Sequence, residues 1–521
     1  MSYWFAPGGR LSAAMLRIGV ATSLLWMLWR IGWSGGGTAP FYYKHGVWWL
    51  YPGEPGPRIL SAIAIVGFVA TFAWLIGLAT RAAHVVSCLA CTALAAHAVS
   101  YMPTWSHTDV PPVLASLALL GARTGDALSV DAWWRARRGV TVVARAGYQC
   151  SVRLAQIAVG GVFVLAAFEK LRSGGWSLHW ALSDNLRHQL LVRYDWTSTP
   201  RPPIVDWLLG ASWRYELCAC LNIVSQLSPL VAIACVRRPR VRAVVGLLFC
   251  SEVLGLVFVM DMPTLHWLPL VAVFVDWDAL AARAGLRVDP APAPSPSRGW
   301  LAFASGFVVV FAVQGLWLNQ RLHAYPFSGF PMFAVVRAKP PYDRHQTYEL
   351  VGSRLDAVGA ADPGLETRFR QSAAYRTMWQ TRSPRALRED LATVLGETHV
   401  AAIRMWLTVF QAPAYPGPAR LDPIDLAVIA ELDDHGFRST LGALLPDRQT
   451  WIAPADHPDL TGAQLYLIRD DDPAPIPIAA TPLPRGFVLA EPVTADPAYL
   501  LARPPESPRA WLLAVHARRG Y

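Results

Sequence analysis

The residue with the clearest potential for chemistry in this sequence is Lys170, which follows a long apolar run. Of the 46 basic side chains, only three are lysines, at Lys44, Lys170 and Lys339. Arginine keeps its proton in proteins, whereas a lysine in a poorly hydrated pocket can release its proton and act as a neutral base. Lys170 is therefore a candidate catalytic base. The alternative is a snorkelling lysine, whose methylene stem lies along lipid while its ammonium reaches the headgroups.

Two carboxyl side chains also fall in or beside apolar runs. Glu252 lies in the apolar segment that contains Cys250-Ser251, and a carboxyl group in hydrocarbon is costly, so we expect it to pair with another helix or to be functional. Glu169 directly precedes Lys170. An ionised acid beside an amine favours the protonated amine, so Glu169 is compatible with a base only if it points away or is neutral.

The composition indicates which class of protein positions these side chains. The chain has 521 residues, of which 54% are hydrophobic and 23 are tryptophan. Runs of about 20 apolar residues are long enough to cross a membrane as helices. The sequence predicts a polytopic all-α membrane bundle of about nine transmembrane helices, at about 12–32, 59–79, 83–102, 108–122, 152–171, 216–236, 241–260, 263–277 and 300–318. The fourth and eighth are short, so we expect them to be tilted or pieced together with interfacial turns.

The arginines predict the orientation of this bundle. They concentrate at the N-terminus and in every second loop between the predicted spans, which puts them all on one side of the membrane. These positions are Arg10, Arg81, 123–145, 237–242 and 283–298. By the positive-inside rule these loops are cytoplasmic, so we expect a cytoplasmic N-terminus, an extracytoplasmic C-terminal region and a location in the plasma (inner) membrane. The net charge of +10 is then mostly a topology signal. No nucleic-acid partner is predicted, because the arginines are scattered among membrane ends with no binding fold around them.

The C-terminal part of the sequence has shorter apolar runs. We predict a transmembrane domain over residues 1–318 and a small α+β extracytoplasmic domain over residues 319–521. The alternation of apolar and polar residues predicts strands at Thr347–Val351, Val400–Phe410, Gln464–Ile468 and Gly486–Ala490, and helices at about 364–378 and 384–396.

A series of positions between about residues 10 and 280 carries a family resemblance. It begins with Arg17-Ile18 and a tyrosine-rich loop ending in Gly46, and it continues with Gly121-Ala122 and the string Leu128-Ser129-Val130-Asp131. The later positions are Gln156, Lys170, Trp176, Glu216 and Asp276-Trp277. In order and spacing, this series resembles the HTTM family of membrane proteins, which includes vitamin K-dependent gamma-carboxylases.

The resemblance implies a reaction. In those carboxylases, a lysine at the outer end of a helix deprotonates a reduced naphthoquinone, which reacts with oxygen to give a strongly basic alkoxide. The alkoxide removes a proton from a glutamate side chain, and the carbanion captures carbon dioxide while the quinone leaves as its epoxide. Lys170 matches that lysine through its spacing to Trp176, and His107 matches the histidine that supports the carbanion and carbon dioxide. For His107 the alternative is an interfacial histidine that is hydrogen-bonded to Asp109 or to the backbone.

The resemblance thus implies a reduced quinone of the vitamin K or menaquinone type, with oxygen and carbon dioxide as co-substrates. Membrane lipid and an extracytoplasmic protein or peptide substrate are the implied partners. Lys170 and His107 are the candidate catalytic residues, and the possible supporting residues are Glu169, Trp176, Glu216 and Glu252. No metal is predicted, because the histidines lack ligand spacing.

The chain departs from the carboxylase pattern at several places. Glu169 and Leu171 stand where the carboxylases have a second lysine and an acid. Cys250-Ser251-Glu252 stands where many members place a histidine, and no C-terminal stretch matches the substrate-binding portion. The alternative function is a non-enzymatic binding or maturation factor, in which the bundle holds a lipid or peptide and the outer domain recognises a partner.

Overall fold

The computed structural model describes most of the helical part of the chain and the greater part of a C-terminal sheet region. The described residues are 8–33, 44–100, 107–140, 147–196, 200–236, 238–286, 298–316, 326, 342–351, 387–389, 391–392, 402–411, 415–417, 419, 422–453, 457, 460–469, 475–494, 498–505 and 509–516. The chain forms two compact units. A helical unit comprises Met1–Leu186 and Trp213–Val336, and a sheet unit comprises Arg187–Ser212 and Arg337–Tyr521.

Twelve α-helices occur among the described residues. They are α1 (Arg10–Trp33), α2 (Pro57–Ile76), α3 (Thr80–Val99), α4 (Val110–Ala118), α5 (Val130–Arg137), α6 (Gly147–Ser173), α7 (Asn185–Leu191), α8 (Pro203–Leu209), α9 (Ser212–Ala234), α10 (Pro239–Phe258), α11 (Trp277–Arg283) and α12 (Arg298–Leu316). Six of them, α1, α2, α3, α6, α9 and α10, are long and apolar enough to cross a membrane. This set is consistent with a membrane protein.

The fourth and eighth predicted spans take irregular forms in the structure. Residues 108–122 contain α4, whose nine residues extend only about 14 Å at 1.5 Å per residue. Residues 263–277 contain a 3₁₀ helix at Leu265–Val273, which meets α11 at an angle of 71°. If this bent pair is one span, the described residues hold up to seven spans. The count of nine is not confirmed and stays a prediction.

Helix α6 lies at the centre of the helical unit. Most of its apolar stretch is buried, whereas most of α2 is exposed, as is typical of a helix that faces lipid. Two glycines allow other helices to approach α6 closely. A Cβ at Gly160 would lie 2.5 Å from Pro229 Cβ on α9, and a Cβ at Gly161 would lie 2.4 Å from the Phe311 ring on α12. Small residues at such contacts are typical of membrane helix pairs.

Helices α2 and α3 form a tight hairpin. Helix α2 begins with Pro57 after Gly56 and ends at Gly77, which adopts a left-handed conformation with φ of 71°. Glycine is required there, because a Cβ at Gly77 would also lie 2.2 Å from Ser129 Cβ. The turn is held against the start of α5, where the Asp131 N–H donates to Gly77 O at 3.0 Å.

The sheet unit contains two β-sheets. The strands are β1 (Tyr342–Val351), β2 (Ala402–Gln411), β3 (Asp422–Asp433), β4 (Gly436–Ser439), β5 (Ala443–Leu444), β6 (Thr450–Ile452), β7 (Gln464–Arg469), β8 (Ile476–Ile478), β9 (Ala480–Leu483), β10 (Gly486–Leu489), β11 (Ala498–Arg503) and β12 (Trp511–His516). The larger sheet has the order β1-β2-β3-β12-β11-β7-β8, with β4 paired to β3, and the smaller sheet has the order β5-β6-β10-β9. The β3–β12 pair is parallel, and the other pairs are antiparallel.

Alternating side chains give the larger sheet two apolar faces. On β7, Tyr466 and Ile468 contribute to one core cluster, whereas Leu465 and Leu467 contribute to the other. The first cluster also contains Leu387 and Leu391 from short helical stretches. The second contains residues of the smaller sheet, including Trp451, whose indole N–H donates to Leu513 O at 2.9 Å. The period of two along the strands thus places one core on each face.

The structure confirms strands at the four places predicted in the C-terminal region. They correspond to β1, β2, β7 and β10. Of the two predicted helices, 364–378 lies outside the described residues. Within 384–396, residues 387–389 and 391–392 are helical. The segment Arg187–Ser212 groups with this unit, and Arg187 Nη2 donates to Gly417 O at 3.3 Å.

Candidate functional site

Lys170 lies in the last turn of α6, where the chain reverses sharply. The N–H of Trp176 donates to Leu171 O at 2.7 Å, and the N–H of Gly175 donates to Arg172 O at 3.0 Å. With Gly175 at φ of 69°, this is a Schellman C-cap. The cap ends α6 and turns the chain into the 3₁₀ helix Leu178–Trp180. This reversal brings the Trp180 ring back against the side chain of Lys170.

The amine of Lys170 is buried and has three identified neighbours. Its Nζ donates to Asn222 Oδ1 at 2.7 Å and to Gln226 Oε1 at 2.9 Å. It also lies 4.7 Å from the centroid of the Trp180 ring, a distance typical of a cation–π contact. The side chain is only 2% exposed. Lys170 is therefore held inside the protein and does not snorkel toward a surface.

The same two amides connect Lys170 to Glu252 on α10. Asn222 Nδ2 donates to Glu252 Oε1 at 2.7 Å, and Gln226 Nε2 donates to the same oxygen at 2.8 Å. Glu252 is buried. We call Lys170, Asn222, Gln226 and Glu252 the polar network. It links α6, α9 and α10 through two amides whose oxygens face the amine and whose nitrogens face the carboxylate.

This geometry accommodates both charge states of the amine. A neutral amine has two N–H donors and an ammonium has three, and the two amide oxygens accept two in either state. The remaining position on Nζ is an N–H in the ammonium and a lone pair in the neutral amine. The polar network can therefore hold the nitrogen in place while its proton is gained or lost.

Buried aromatic rings lie on the same helix faces as the polar network. Phe163 is seven residues before Lys170 on α6, and Phe249 is three residues before Glu252 on α10, so each shares the face of its partner. The Phe163 ring lies 5.3 Å from Phe249 and 5.5 Å from Trp267, centroid to centroid. The buried Phe163 and Phe249 rings thus lie about two turns before Lys170 on α6 and about one turn before Glu252 on α10.

Glu169 and Trp176 lie close to Lys170 in sequence but make other contacts. The carboxylate of Glu169 accepts hydrogen bonds from Arg172 at 2.6 and 3.1 Å. Glu169 is thus occupied by Arg172, and the carboxylate of the polar network is that of Glu252. Trp176 is 68% exposed and contributes its backbone to the helix cap. The tryptophan against the Lys170 amine is Trp180.

His107 lies in the turn before α4, where its carbonyl accepts the N–H of Val110 at 3.1 Å. It is not among the described contacts of the Lys170 amine. The neighbouring Asp109 accepts a hydrogen bond from Arg30 and lies 3.5 Å from His266 Nε2. Asp109 thus belongs to a separate cluster with the half-buried Arg30 and the buried His266.

Glu216 is half-buried near the start of α9 and is not part of the polar network. Asn222, Gln226 and Trp180 were not predicted from the sequence as site residues. A signal for the two amides was present, because Asn222 and Gln226 are four residues apart in an apolar span and so share a helix face. Trp180 had no such signal, since its place depends on the turn after α6.

Several positions of the family pattern make structural contacts. Arg17 is buried and donates to Thr124 O at 2.7 Å and to Leu128 O. Asp131 accepts from Thr80 N at 2.8 Å and from Thr80 Oγ1 at 2.7 Å. Gln156 Nε2 donates to Val273 O at 2.9 Å. The contacts of Arg17 and Gln156 join the helices α1 and α6 to turns of the helical unit, and those of Asp131 join the starts of α5 and α3.

Comparisons of the chain with protein-family models, with curated proteins and with solved structures found no match. The HTTM resemblance therefore rests on the sequence positions given above and stays a prediction. Within the described part of the chain, no group of three or more His, Cys, Asp or Glu side chains is arranged to hold a metal ion.

Proposed function

We propose that this chain is an integral membrane enzyme similar to the vitamin K-dependent gamma-carboxylases, in which Lys170 is the base that deprotonates a reduced quinone. The observation that carries the proposal is the buried amine of Lys170. Two amide oxygens accept hydrogen bonds from Nζ, and neither engages the position that holds the lone pair of the neutral amine. A base in this setting is fixed in position and screened from bulk water, as proton abstraction requires.

The residues around Lys170 suit a reduced quinone. Such a ligand has an acidic hydroxyl group and a flat ring system, and Lys170 and Trp180 offer a nitrogen acceptor and a buried aromatic surface side by side. When bound, the quinol would supply two hydrogen atoms and the ring double bond that takes up one oxygen atom, so that one quinol and one O2 give quinone epoxide and water. The task of the chain is to orient the hydroxyl group, accept its proton at Lys170 Nζ and exclude water.

The remaining residues have supporting roles in this proposal. Asn222 and Gln226 position the amine, and Glu252 balances its charge when it is protonated. His107 assists at the carbon that gains carbon dioxide, if the substrate is carboxylated. Glu169 and Trp176 support the site indirectly, Glu169 through Arg172 and Trp176 through the helix cap. Glu216 has no described contact with the polar network, so we assign it no role in the reaction.

The proposal includes a topology. The bundle has about nine membrane segments, counting the short and bent ones, and lies in the plasma (inner) membrane with its N-terminus in the cytoplasm. Lys170 and the sheet unit face the extracytoplasmic side, where the sheet unit receives a protein or peptide substrate. Arginine placement supports this orientation.

A quinol epoxidation assay tests the base. The full-length protein in detergent is supplied with reduced menaquinone and oxygen, and quinone epoxide is measured by mass spectrometry. We expect epoxide from the wild type and a loss of at least roughly a hundredfold in Lys170→Arg, because arginine keeps the charge but cannot act as a base.

Lys44→Arg is the matched control, since it makes the same change at a lysine whose Nζ donates to Tyr51 O at 2.8 Å. It should retain wild-type activity. The absence of epoxide from a folded, quinone-loaded wild type, or equal activity in Lys170→Arg, would contradict the proposal.

A second candidate function is the non-enzymatic binding or maturation factor. The observation that favours it is the charge compensation between Lys170 and Glu252, which also suits a structural link between three helices. A purely structural lysine tolerates arginine better than a catalytic one does. The same assay therefore distinguishes the two functions, provided that Lys170→Arg remains monodisperse on size exclusion.

A further inference from the structure

A cavity of about 330 Å³ lies in the helical unit, away from Lys170. It is lined by the first turn of α3, residues of the segment 120–126, and Asp131 and Arg135 of α5. Tyr148, in the first turn of α6, donates to Asp126 of this cavity at 2.6 Å. Lys170 is 22 residues further along the same helix, about 33 Å at 1.5 Å per residue. The cavity is thus separate from the site proposed above.

We propose that this cavity binds the phosphate group of an anionic lipid. The inference is independent of the chemistry proposed for Lys170. Three features of the cavity support it: the net positive charge of the lining, the close packing and hydrogen bonds that hold the walls in place, and the position of the cavity at the ends of membrane-length helices.

The lining carries more positive than negative charge. Three arginines, Arg81, Arg123 and Arg135, face two aspartates, Asp126 and Asp131. Guanidinium groups bind phosphate oxygens in a bidentate manner, which makes arginine a common ligand for phosphate. The cavity therefore favours an anion.

Both aspartates are occupied by the protein itself. Asp131 accepts hydrogen bonds from Ala79 N at 3.0 Å, Thr80 N at 2.8 Å and Thr80 Oγ1 at 2.7 Å. Asp126 accepts from Tyr148 Oη at 2.6 Å and lies 3.1 Å from Arg135 Nη2. Their charge is compensated locally, so neither aspartate needs a bound cation.

Two of the arginines retain capacity to bind a ligand. Arg81 is exposed and has no hydrogen bond or ion pair with the described residues. The described contacts of Arg135, with Gly125 O and Asp126, use only its Nη2, and its side chain is 34% exposed. Both guanidinium groups therefore keep N–H donors that a phosphate oxygen can reach.

The walls of the cavity are fixed. Gly125 packs so closely on α3 that a Cβ there would lie 2.4 Å from Thr80 Oγ1. Together with the three hydrogen bonds of Asp131, this contact ties the start of α3 to α5 and to the segment before it. A preformed site loses less entropy when it binds a ligand.

The position of the cavity indicates a lipid as the source of the phosphate. It lies where the membrane-length helix α3 begins, and the adjacent α5 exposes Trp133 and Trp134, each 51% exposed. Tryptophans are enriched at the level of the lipid headgroups. A headgroup phosphate at that level lies within reach of Arg81 and Arg135, and the cavity volume is in the range of ligand pockets.

Native mass spectrometry of the full-length protein tests the inference. The probes are phosphatidylglycerol and phosphatidylcholine, added separately to the wild type, to Arg81→Glu and to Arg138→Glu. Arg138 is exposed at the end of α5, outside the cavity lining, so Arg138→Glu makes the same charge change in the same region. We expect the wild type and Arg138→Glu to retain phosphatidylglycerol over phosphatidylcholine, and Arg81→Glu to bind phosphatidylglycerol on the order of tenfold more weakly.

Competition with glycerol 3-phosphate distinguishes the sources of the phosphate. Retention of phosphatidylglycerol in excess glycerol 3-phosphate identifies a lipid site, whereas displacement identifies a site for soluble phosphate esters. Equal binding by all three proteins would overturn the inference. So would equal loss in both charge-reversed variants, because it would reflect the general field of the surface and not the cavity.

Discussion

At the scale of single residues, the polar network combines a buried amine and a buried carboxylate that do not touch directly. Removing a charge from water costs several kcal/mol, and a buried partner of opposite charge offsets much of that cost. The two amides satisfy the hydrogen bonds of both groups at once. The folded protein is therefore less stable with only one of the two buried charges than with both.

A double-mutant cycle tests this coupling. Lys170→Met and Glu252→Gln should each lower the apparent melting temperature in detergent, because each leaves one buried charge without its counterpart. The double variant should lose less than the sum of the two, with an interaction energy on the order of 1–3 kcal/mol. Glu216→Gln, on α9 but outside the network, should change little. Strictly additive losses would show that the two charges are uncoupled.

The sequence supported part of this site. Lys170 and Glu252 stood out because charged side chains are rare in apolar spans. Their connection was not predictable, since it depends on which faces of α6, α9 and α10 meet. The contact with Trp180 depends on the left-handed conformation at Gly175, which no periodicity signals.

At the scale of elements, the contact between α6 and α9 brings the network together. Gly160 and Pro229 are in close contact on these two helices. Lys170 lies ten residues after Gly160 on α6, and Gln226 lies three residues before Pro229 on α9. The separation of the two helices therefore controls the distances from Lys170 to Asn222 and Gln226.

Gly160→Val should push α9 away from α6. We expect a lower apparent melting temperature and a loss of Lys170-dependent epoxide, because overpacking costs about 1–3 kcal/mol and lengthens the hydrogen bonds of Nζ. Gly255→Val on α10 is the control, since a Cβ there has no described atom within 4 Å. The valine lowers helix propensity equally in both variants, so equal effects on melting and activity would rule out the packing explanation.

Helix prediction succeeded for the six membrane-length helices, because long apolar runs are a strong local signal. It was less successful at 108–122 and 263–277. Pro111 and Pro112 open the short helix α4, and Pro269 lies within the 3₁₀ helix Leu265–Val273. Hydropathy shows that these segments are apolar, but it does not predict how many of their residues form a regular α-helix. That number depends on the prolines and on packing against neighbouring helices.

At the scale of the whole molecule, the proposed orientation can be measured. Arg138 lies at the end of α5 and Arg485 in the turn between β9 and β10, and both are exposed. With the seven native cysteines replaced, Arg485→Cys should react with a membrane-impermeant maleimide from outside intact cells, and Arg138→Cys should react only after permeabilisation. Labelling in the reverse pattern would contradict an extracytoplasmic sheet unit.

The sheet unit was predicted only in outline. Alternating residues indicated strands such as β7 and β10, but the order of strands in a sheet depends on contacts between distant segments. The grouping of Arg187–Ser212 with this unit is an example, since more than a hundred residues separate that segment from Arg337.

The order of the strands also bears on how the protein is made. Strand β12 lies between β3 and β11 in the larger sheet, although it follows every other described strand in the sequence. The sheet cannot close until Trp511–His516 has been synthesised, so one edge of β11 and the part of β3 that β4 leaves open have no partner strand until then. A chain truncated before β12 lacks this central strand, and we expect proteases to degrade it.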